Sequence, residues 1–401
     1  MVQPLRIALI ADAYPPMRTS AAVQLRDLSQ EMVRQGHNPT VIIPSSNLDK
    51  PWVLEEMNGV QVLRVKAPPT KDIGYIRRTI NEFMLPFFML YNLRKSPLSK
   101  VKWDGVVWYS PTIFLGPIAN ALKKASHCRS YLIVRDIFPE WAVDMGLMGR
   151  GLPYRFFKAI ERYQYSVADV IGVQTPGNLA YIDACKLKPG QHVEVLQNWL
   201  ADAPATGSSI VVANTQLAGR NVFVYAGNMG VAQGMMILIE LAERLHHRND
   251  IGFLFVGRGS DAGLLREEAA NRSLSNVVFF DEIEPTEISG LYAQCHVGIV
   301  ALDARHKTHN IPGKFLTYMQ SGLPVLACIN HGNDLVELIH REAVGHACTD
   351  YSVETLEQLA ASLVDDILND VDISNRCKSL SAKLFSARAA VNQIVEALVL
   401  A

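Results

Sequence analysis

Two hydrophobic periods alternate along the chain. Short apolar runs of strand length, rich in Val and Ile, are separated by stretches whose apolar positions recur every three to four residues. In the first half the short runs predict strands at Leu5–Ala11, Thr40–Ile43, Val60–Val65, Gly105–Tyr109, Tyr131–Val134, Val170–Val173 and Val193–Leu196. Helical patterns at Ala21–Gln35, Phe114–Ala125, Tyr154–Val167 and Asn178–Leu187 lie between most of them. Ala201–Arg220 then breaks the rhythm: it is rich in Ala, Ser, Thr, Asn and Gly, carries little charge, and reads as a domain boundary. Beyond it the pattern restarts, with strands expected at Val222–Ala226, Gly252–Val256, Val277–Phe280, Val297–Ala301 and Pro324–Cys328. Helices are expected at Gly234–His247, Leu264–Asn271, Pro285–Cys295, Gly313–Ser321, Asn333–Arg341, Val353–Asn369 and Ile373–Leu400. Strand–helix alternation builds parallel βαβ units, so the expectation is an α/β protein of two Rossmann-like, doubly wound domains with a crevice between them. Ligands of such sheets bind at the carboxyl ends of the strands.

Composition narrows the class. With 401 residues, about two domains are expected, and 49% hydrophobic against 19% charged residues describes a globular chain rather than a disordered one. The 38 Lys and Arg nearly balance 39 Asp and Glu, which argues against a general nucleic-acid partner. None of the six cysteines forms a CxxC pair or stands at zinc-ligand spacing from a histidine, so they read as small buried hydrophobes of a reducing compartment. Met1–Arg6 carries no signal-peptide pattern, and the longest apolar run, Phe83–Leu90, is interrupted by Pro86. It falls far short of the ~20 residues that span a bilayer. A cytoplasmic protein is expected.

Candidate chemistry lies in the strand-to-helix loops. The first strand leads through Ala11-Asp12-Ala13-Tyr14-Pro15-Pro16 to Arg18-Thr19-Ser20, which opens a helix whose amides suit an anion. A dinucleotide-binding fold would place GxGxxG here; its absence counts against a nicotinamide or flavin enzyme. The second half opens with Gly227-Asn228-Met229-Gly230-Val231-Ala232-Gln233-Gly234, either a loop that lets phosphate oxygens approach the backbone or simply a tight turn. The next strand ends in Gly257-Arg258-Gly259, which could serve the same ligand. Most informative is Asn310-Ile311-Pro312-Gly313-Lys314-Phe315-Leu316-Thr317-Tyr318-Met319. Pro312 and Gly313 fit a helix start, where the helix dipole disfavours a cation, so Lys314 in the first turn makes sense opposite a pyrophosphate, or else as a solvated surface lysine.

Taken together, the Tyr14–Pro16 loop, Gly36-His37, Gly227–Gly230, Val256–Gly259 and the Pro312–Val325 segment resemble the two-domain GT-B glycosyltransferases, specifically family 4, over essentially the whole chain. The wording of Arg135-Asp136-Ile137-Phe138-Pro139-Glu140-Trp141 and of Gly227–Gln233 is most similar to the N-acetyl-L-fucosamine transferases of O-antigen and capsule assembly. The resemblance implies residues 1–200 as an acceptor-binding domain, 201–383 as a nucleotide-sugar domain, and a final helix, about 384–401, packing back on the first. It implies transfer from a UDP-sugar, with N-acetyl-L-fucosamine as the sugar, to an undecaprenyl-diphosphate-linked saccharide, without metal or other cofactor. Asp136 would take the proton of the attacking hydroxyl, or else merely pair with Arg135 or cap the following turn, and Lys314 would stabilise the departing phosphate. Donor contacts would come from Gly227, Asn228, Gly230, Gln233, Gly257, Arg258, Glu282, His309, Asn310, Pro312, Gly313 and Thr317. Tyr14, Arg18, Ser20 and Arg135 would line the acceptor side. The chain departs from the family where two glutamates are usual: these positions hold His309 and Thr317, and Glu282 or Glu284 is the suggested ribose-binding replacement. The family's Arg and Lys of the phosphate loop are Asn228 and Gln233. A non-hydrolysing UDP-sugar 2-epimerase on the same fold, and a non-catalytic nucleotide-binding protein, are the alternatives.

Between Ile73 and Lys102, six basic residues (Arg77, Arg78, Arg94, Lys95, Lys100 and Lys102) frame the apolar run, with Glu82 opposing them. Such a segment suits peripheral contact with the cytoplasmic face of a membrane, or equally a helix packed on the sheet.

Overall fold

A computed structural model describes residues 3–17, 19–71, 73–110, 112–144, 146–183, 187–202, 207–305 and 311–400. The chain divides into two compact units, Met1–Ala201 with Ala387–Ala401, and Asp202–Ser386.

The first unit holds strands β1 (Arg6–Ile10), β2 (Asn38–Ser45), β3 (Trp52–Met57), β4 (Val60–Lys66), β5 (Gly105–Ser110), β6 (Arg129–Val134), β7 (Val170–Val173) and β8 (His192–Val195). They form one sheet in the order β3-β4-β2-β1-β5-β6-β7-β8, parallel except for β3, which runs antiparallel to β4. Its helices are α1 (Ser20–Arg34), α2 (Tyr75–Leu93), α3 (Gly116–Ser126), α4 (Glu140–Asp144), α5 (Leu152–Val167) and α6 (Pro176–Asp183). The second unit holds β9 (Asn221–Ala226), β10 (Ile251–Val256), β11 (Val277–Phe280), β12 (Val297–Ala301), β13 (Val325–Cys328) and β14 (Gly345–Cys348), all parallel, in the order β11-β10-β9-β12-β13-β14. Its helices are α7 (Met236–Arg244), α8 (Ala262–Asn271), α9 (Ile288–Tyr292), α10 (Gly313–Ser321), α11 (Asp334–Glu342), α12 (Val353–Asn369) and α13 (Ile373–Leu384). The last helix, α14 (Ala387–Val399), belongs to the first unit.

The central strands are apolar on both faces because both faces are covered. On one face of the first sheet, Ile7, Leu9, Val107 and Ile133 meet Leu25, Leu28 and Met32 of α1 and Val391, Ile394 and Leu398 of α14. On the other face, Ala8, Ile10, Val106 and Leu132 meet Leu85 and Met89 of α2 and Ile118 and Ala119 of α3. In the second unit, Phe223, Tyr225, Phe253 and Phe255 pack against Leu238, Ile239 and Leu241 of α7 and Leu356, Leu363 and Val364 of α12.

Both sheets reverse their winding at a definite place. In the first unit the chain runs from β1 out to β2 and later returns to β1's other side with β5. In the second it runs from β9 out to β10 and β11, then returns with β12. The carboxyl ends of β1 and β5, and of β9 and β12, are therefore the switch points where doubly wound sheets leave room for a ligand.

Several elements differ from the expectation, among them α2 and the short α4, which lie outside the predicted helical patterns. β3 was not anticipated because its burial is intermediate along its length, so it lacks the apolar run of a buried strand. β14 was missed for the same reason: its sequence, Gly-His-Ala-Cys, has no apolar pattern. Ile373–Leu400 is two helices rather than one. The break at Phe385–Ser386 contains neither Gly nor Pro, and the chain there passes from one unit to the other, with the Ala387 amide donating to Leu200 O (3.0 Å).

Candidate active site

In the second unit the switch point is built from three loops. β9 ends at Ala226, and Gly227 follows with φ +137°. β10 ends at Val256, and Gly257 and Gly259 follow with φ +143° and +156°. These glycines are there because the two loops lie backbone against backbone. A Cβ on Gly257 would collide with Gly227 O, and one on Gly259 with Met229 O. The loops are also hydrogen-bonded, with Met229 N donating to Arg258 O (2.8 Å) and Asp261 N to Met229 O (3.0 Å). Gln233 closes the first loop: its Oε1 accepts from Asn228 Nδ2 (2.9 Å) and from Gly230 N (3.1 Å). Tyr225 OH donates to Asn228 O (2.5 Å). Asn228 and Gln233 thus brace the loop.

The third part is the start of α10. Pro312 is its N-cap and offers no side-chain acceptor, so the first-turn amides lack a side-chain cap. Gly313 is exposed, and its Cβ position faces open space. The helix is held by Phe315, Leu316, Tyr318 and Met319, all buried, and Tyr318 OH donates to Val224 O (3.1 Å). It ends at Gly322 in the left-handed region (φ +77°). This packing turns Lys314 back over the Tyr225 ring, Nζ 4.6 Å from its centroid. The ammonium lies against Gly227, where a Cβ would come within 2.9 Å of it. Lys314 is half-buried, and burial alone lowers its pKa to about 8. Among the described residues no carboxylate forms an ion pair with it. A desolvated cation beside a glycine loop and an uncapped helix start makes a ready anion site.

Next to it lies a cavity of about 390 Å³, formed by the backbone of 226–228 and 256–258 with Glu282, Ile283, Pro285 and Ile288. Arg258 and Glu282 pair across its rim (Nε–Oε2 2.9 Å), both largely exposed. Such a pair contributes little to the fold, at most about 1 kcal/mol, and is free to exchange partners with a ligand. Gly227, Asn228, Gly230, Gln233, Gly257, Arg258, Glu282, Pro312, Gly313 and Lys314 are therefore gathered at one switch point. Thr317 is not aimed there: its hydroxyl donates to Lys314 O (2.8 Å) and bonds the Tyr292 side chain, committing it to the helix and its neighbour. His309 and Asn310 lie outside the described residues. No three described His, Cys, Asp or Glu side chains form a metal-ligand group.

In the first unit the strand ends carry a second polar face. Asp136 follows β6, exposed, with its pKa raised by partial desolvation against the pull of Arg135. Two expected acceptor-side residues are corrected here. Tyr14 is 1% exposed and its hydroxyl is bonded to Ser29 Oγ of α1 (2.8 Å), because the loop folds its ring under the helix. Arg135 is 6% exposed and turned inward: Nη1 donates to Leu196 O (2.8 Å) and the guanidinium lies 4.9 Å from the Trp199 ring. Ser20 is exposed at the start of α1, where Thr19 is the cap, accepting from Ala22 N (3.3 Å). Arg18 is outside the described residues. Asp12, at the end of β1, was not singled out from the sequence. Its Oδ1 is buried and has no hydrogen-bond partner, and desolvation raises its pKa. Gln197 Oε1 and Asn198 Oδ1, past β8, are likewise buried without partners. The signal for Asp12 was an acid closing an apolar strand, hidden beside the more conspicuous Tyr-Pro-Pro.

Residues 220–366 match the family described as Glycosyl transferases group 1. Over 375 residues the chain is 24% identical to a protein of Pseudomonas aeruginosa named as a glycosyltransferase, WbjE, covering 92% of this chain and 91% of that one. It is 25% identical over 300 residues to WcaI of Escherichia coli, named for colanic acid biosynthesis, covering 69% and 71%. HepE of Anabaena, solved with UDP and glucose, superposes with TM-score 0.62 at 13% identity over 98% of this chain and 99% of that one. The fold is GT-B, two Rossmann-like halves, and the class it defines with these matches is a glycosyltransferase. Within that class, it is residues 220–366 of the second unit that carry the match to the group 1 family.

Proposed function

We propose that the enzyme moves N-acetyl-L-fucosamine from its UDP-linked form to an undecaprenyl-diphosphate-linked saccharide, in the assembly of a bacterial surface polysaccharide such as O-antigen or capsule. The observation that carries the nucleotide-sugar part is Lys314, a half-buried cation without a carboxylate partner among the described residues, held over Gly227 at a helix start. The uridine would occupy the cavity of Ile283, Pro285 and Ile288 beside Glu282 and Arg258. The diphosphate would lie against Gly227–Gly230 and the amides of Gly313 and Lys314. As the bond from the sugar's C1 to the phosphate breaks, charge gathers on the β-phosphate, and Lys314 and the helix start stabilise it without rearranging. The first unit would receive the acceptor, with Asp136 taking the proton of its attacking hydroxyl. No metal or other cofactor is required in this scheme.

The relatives support the polysaccharide setting: WcaI is named for colanic acid biosynthesis, and HepE was solved with UDP and glucose. A lipid-linked acceptor is supported by α2. No described helix is long and apolar enough to cross a membrane. Yet Tyr75, Ile76, Ile80, Phe83, Phe87 and Tyr91 of α2 are exposed, and exposed Phe156 of α5 packs 6.1 Å from Phe83. With Arg77, Arg94 and Lys95 exposed along the same segment, the unit would dock on an anionic bilayer.

The test is turnover of UDP-N-acetyl-L-fucosamine by purified enzyme with lipid-linked saccharides, comparing wild type with Lys314→Ala. Removing one stabiliser of the leaving group is expected to cost about 100-fold or more in rate. Transfer unaffected by the substitution would show that the phosphate site is elsewhere.

A further inference from the structure

The first unit's switch point holds a carboxylate that the transfer chemistry does not use. Asp12 lies two residues past β1, the strand at which the winding reverses, so it stands where β1 and β5 open toward a ligand. Its Oδ1 is buried and has no hydrogen-bond partner. A carboxylate oxygen taken out of water with no donor in return costs more than almost any other polar arrangement, and a fold keeps one where something else supplies the donor. The groups that act electrostatically on it are Lys71 and Arg78, which favour its charge, and Glu82 and Tyr109, whose pKa values it raises in turn. Arg78 and Glu82 sit one turn apart on α2, with Nε 2.8 Å from Oε1. Lys71 is exposed just before that helix, and Arg78 is half-exposed on it. Tyr109 also feels Asp136, so both carboxylates act on one edge of the sheet.

A buried acceptor oxygen at a switch point, within the electrostatic reach of two exposed cations, matches a molecule that brings a hydroxyl donor and a negative charge together. We propose that Asp12, Lys71 and Arg78 form the acceptor subsite: Asp12 accepts a hydrogen bond from a sugar hydroxyl and holds it in place, while Lys71 and Arg78 face the phosphates that link that sugar to its lipid. This rests on the transferase reading and adds to it a residue that contacts the acceptor. α2 then serves two ends of one substrate, presenting Arg78 to the phosphates and its exposed aromatic row to the lipid.

Binding and stability separate this role from a structural one. The probe is N-acetylglucosamine linked through diphosphate to a short prenyl chain, titrated calorimetrically without any donor. Wild type binds it, and Asp12→Asn weakens binding by about 10- to 100-fold, the loss expected of a charged hydrogen bond. Lys71→Gln weakens it less and flattens its salt dependence. The Tm of Asp12→Asn stays level or rises, because an unsatisfied buried charge has been removed. UDP binding, followed separately in the same variants, is unchanged, so a failure of the donor site does not count for or against Asp12. Binding of the probe by Asp12→Asn within twofold of wild type overturns the proposal, as does a wild type that does not bind it or a variant whose Tm drops by several degrees.

Discussion

Lys314 is the residue on which the donor chemistry turns. Its neutral form is favoured by burial, and its ordinary pKa falls to about 8. A bound diphosphate favours the charged form, so binding must raise that pKa again. The sign follows by linkage: below about pH 7 the lysine is already protonated in the free enzyme and UDP affinity is flat with respect to it. Around and above pH 8 binding takes up a proton, and affinity falls as pH rises. Calorimetry at pH 8 in two buffers of different ionisation enthalpy is expected to show net proton uptake in wild type and none in Lys314→Met. Equal uptake in the two would assign the proton to another group. The glycine loop itself brings no charge to a phosphate: Asn228 and Gln233 are bonded to each other, which leaves Lys314 as the cation held against this loop among the described residues.

Among the elements, the paired glycine loops behave as one rigid object. Gly257 has φ +143° and its Cβ position lies 2.0 Å from the carbonyl oxygen of Gly227. Gly257→Ala therefore forces the two loops apart. It is expected to destabilise the second unit by about 2–4 kcal/mol and to abolish the UDP response, as read by chemical denaturation and UDP titration. Gly313→Ala is the contrast: nothing lies within 4 Å of its Cβ position, so stability should change by less than about 0.5 kcal/mol. Glycine spacing after an apolar strand marked these loops in the sequence, but not why the glycines are needed. That reason depends on two loops 30 residues apart meeting backbone to backbone. The central strands were legible because they are buried on both faces and read as unbroken apolar runs. The edge strand β3 and the short β14 were not, since partly covered strands need no such run. Site residues followed the same division. That Lys314 opens a helix and Asp136 follows a strand could be read from local context, whereas the inward turn of Tyr14 and Arg135 depends on Ser29, Leu196 and Trp199, contacts that no spacing rule contains.

At the scale of the whole molecule, the chain completes its first unit last. α14 supplies Val391, Ile394 and Leu398 to the core of a sheet whose strands end near residue 195, and Leu398 presses on Gly105 of β5. Ile394→Ala leaves a cavity under that sheet and is expected to cost about 2–5 kcal/mol. Hydrogen exchange should locate the loss in β1 and β5, with β9 and β10 unchanged; equal loosening of both sheets would contradict the division into units. The exposed face of α2 makes a second prediction at this scale. Replacing Ile76, Phe83 and Phe87 by serine should lower binding to vesicles of phosphatidylglycerol and phosphatidylethanolamine by about tenfold or more, while Tm holds. Vesicle binding that survives would remove this face from membrane docking. The central claim, a nucleotide-diphosphate site at the β9–β12 switch point centred on Lys314, is tested most directly by thermal shift with UDP, GDP, ADP and NAD on wild type and Lys314→Ala. A ligand at a hundred times its Kd adds about 2.7 kcal/mol to apparent stability. The expected result is a rise in Tm with UDP in wild type, largely lost in Lys314→Ala, and none with NAD. A shift with NAD alone, or an equal UDP shift in the two proteins, would contradict it.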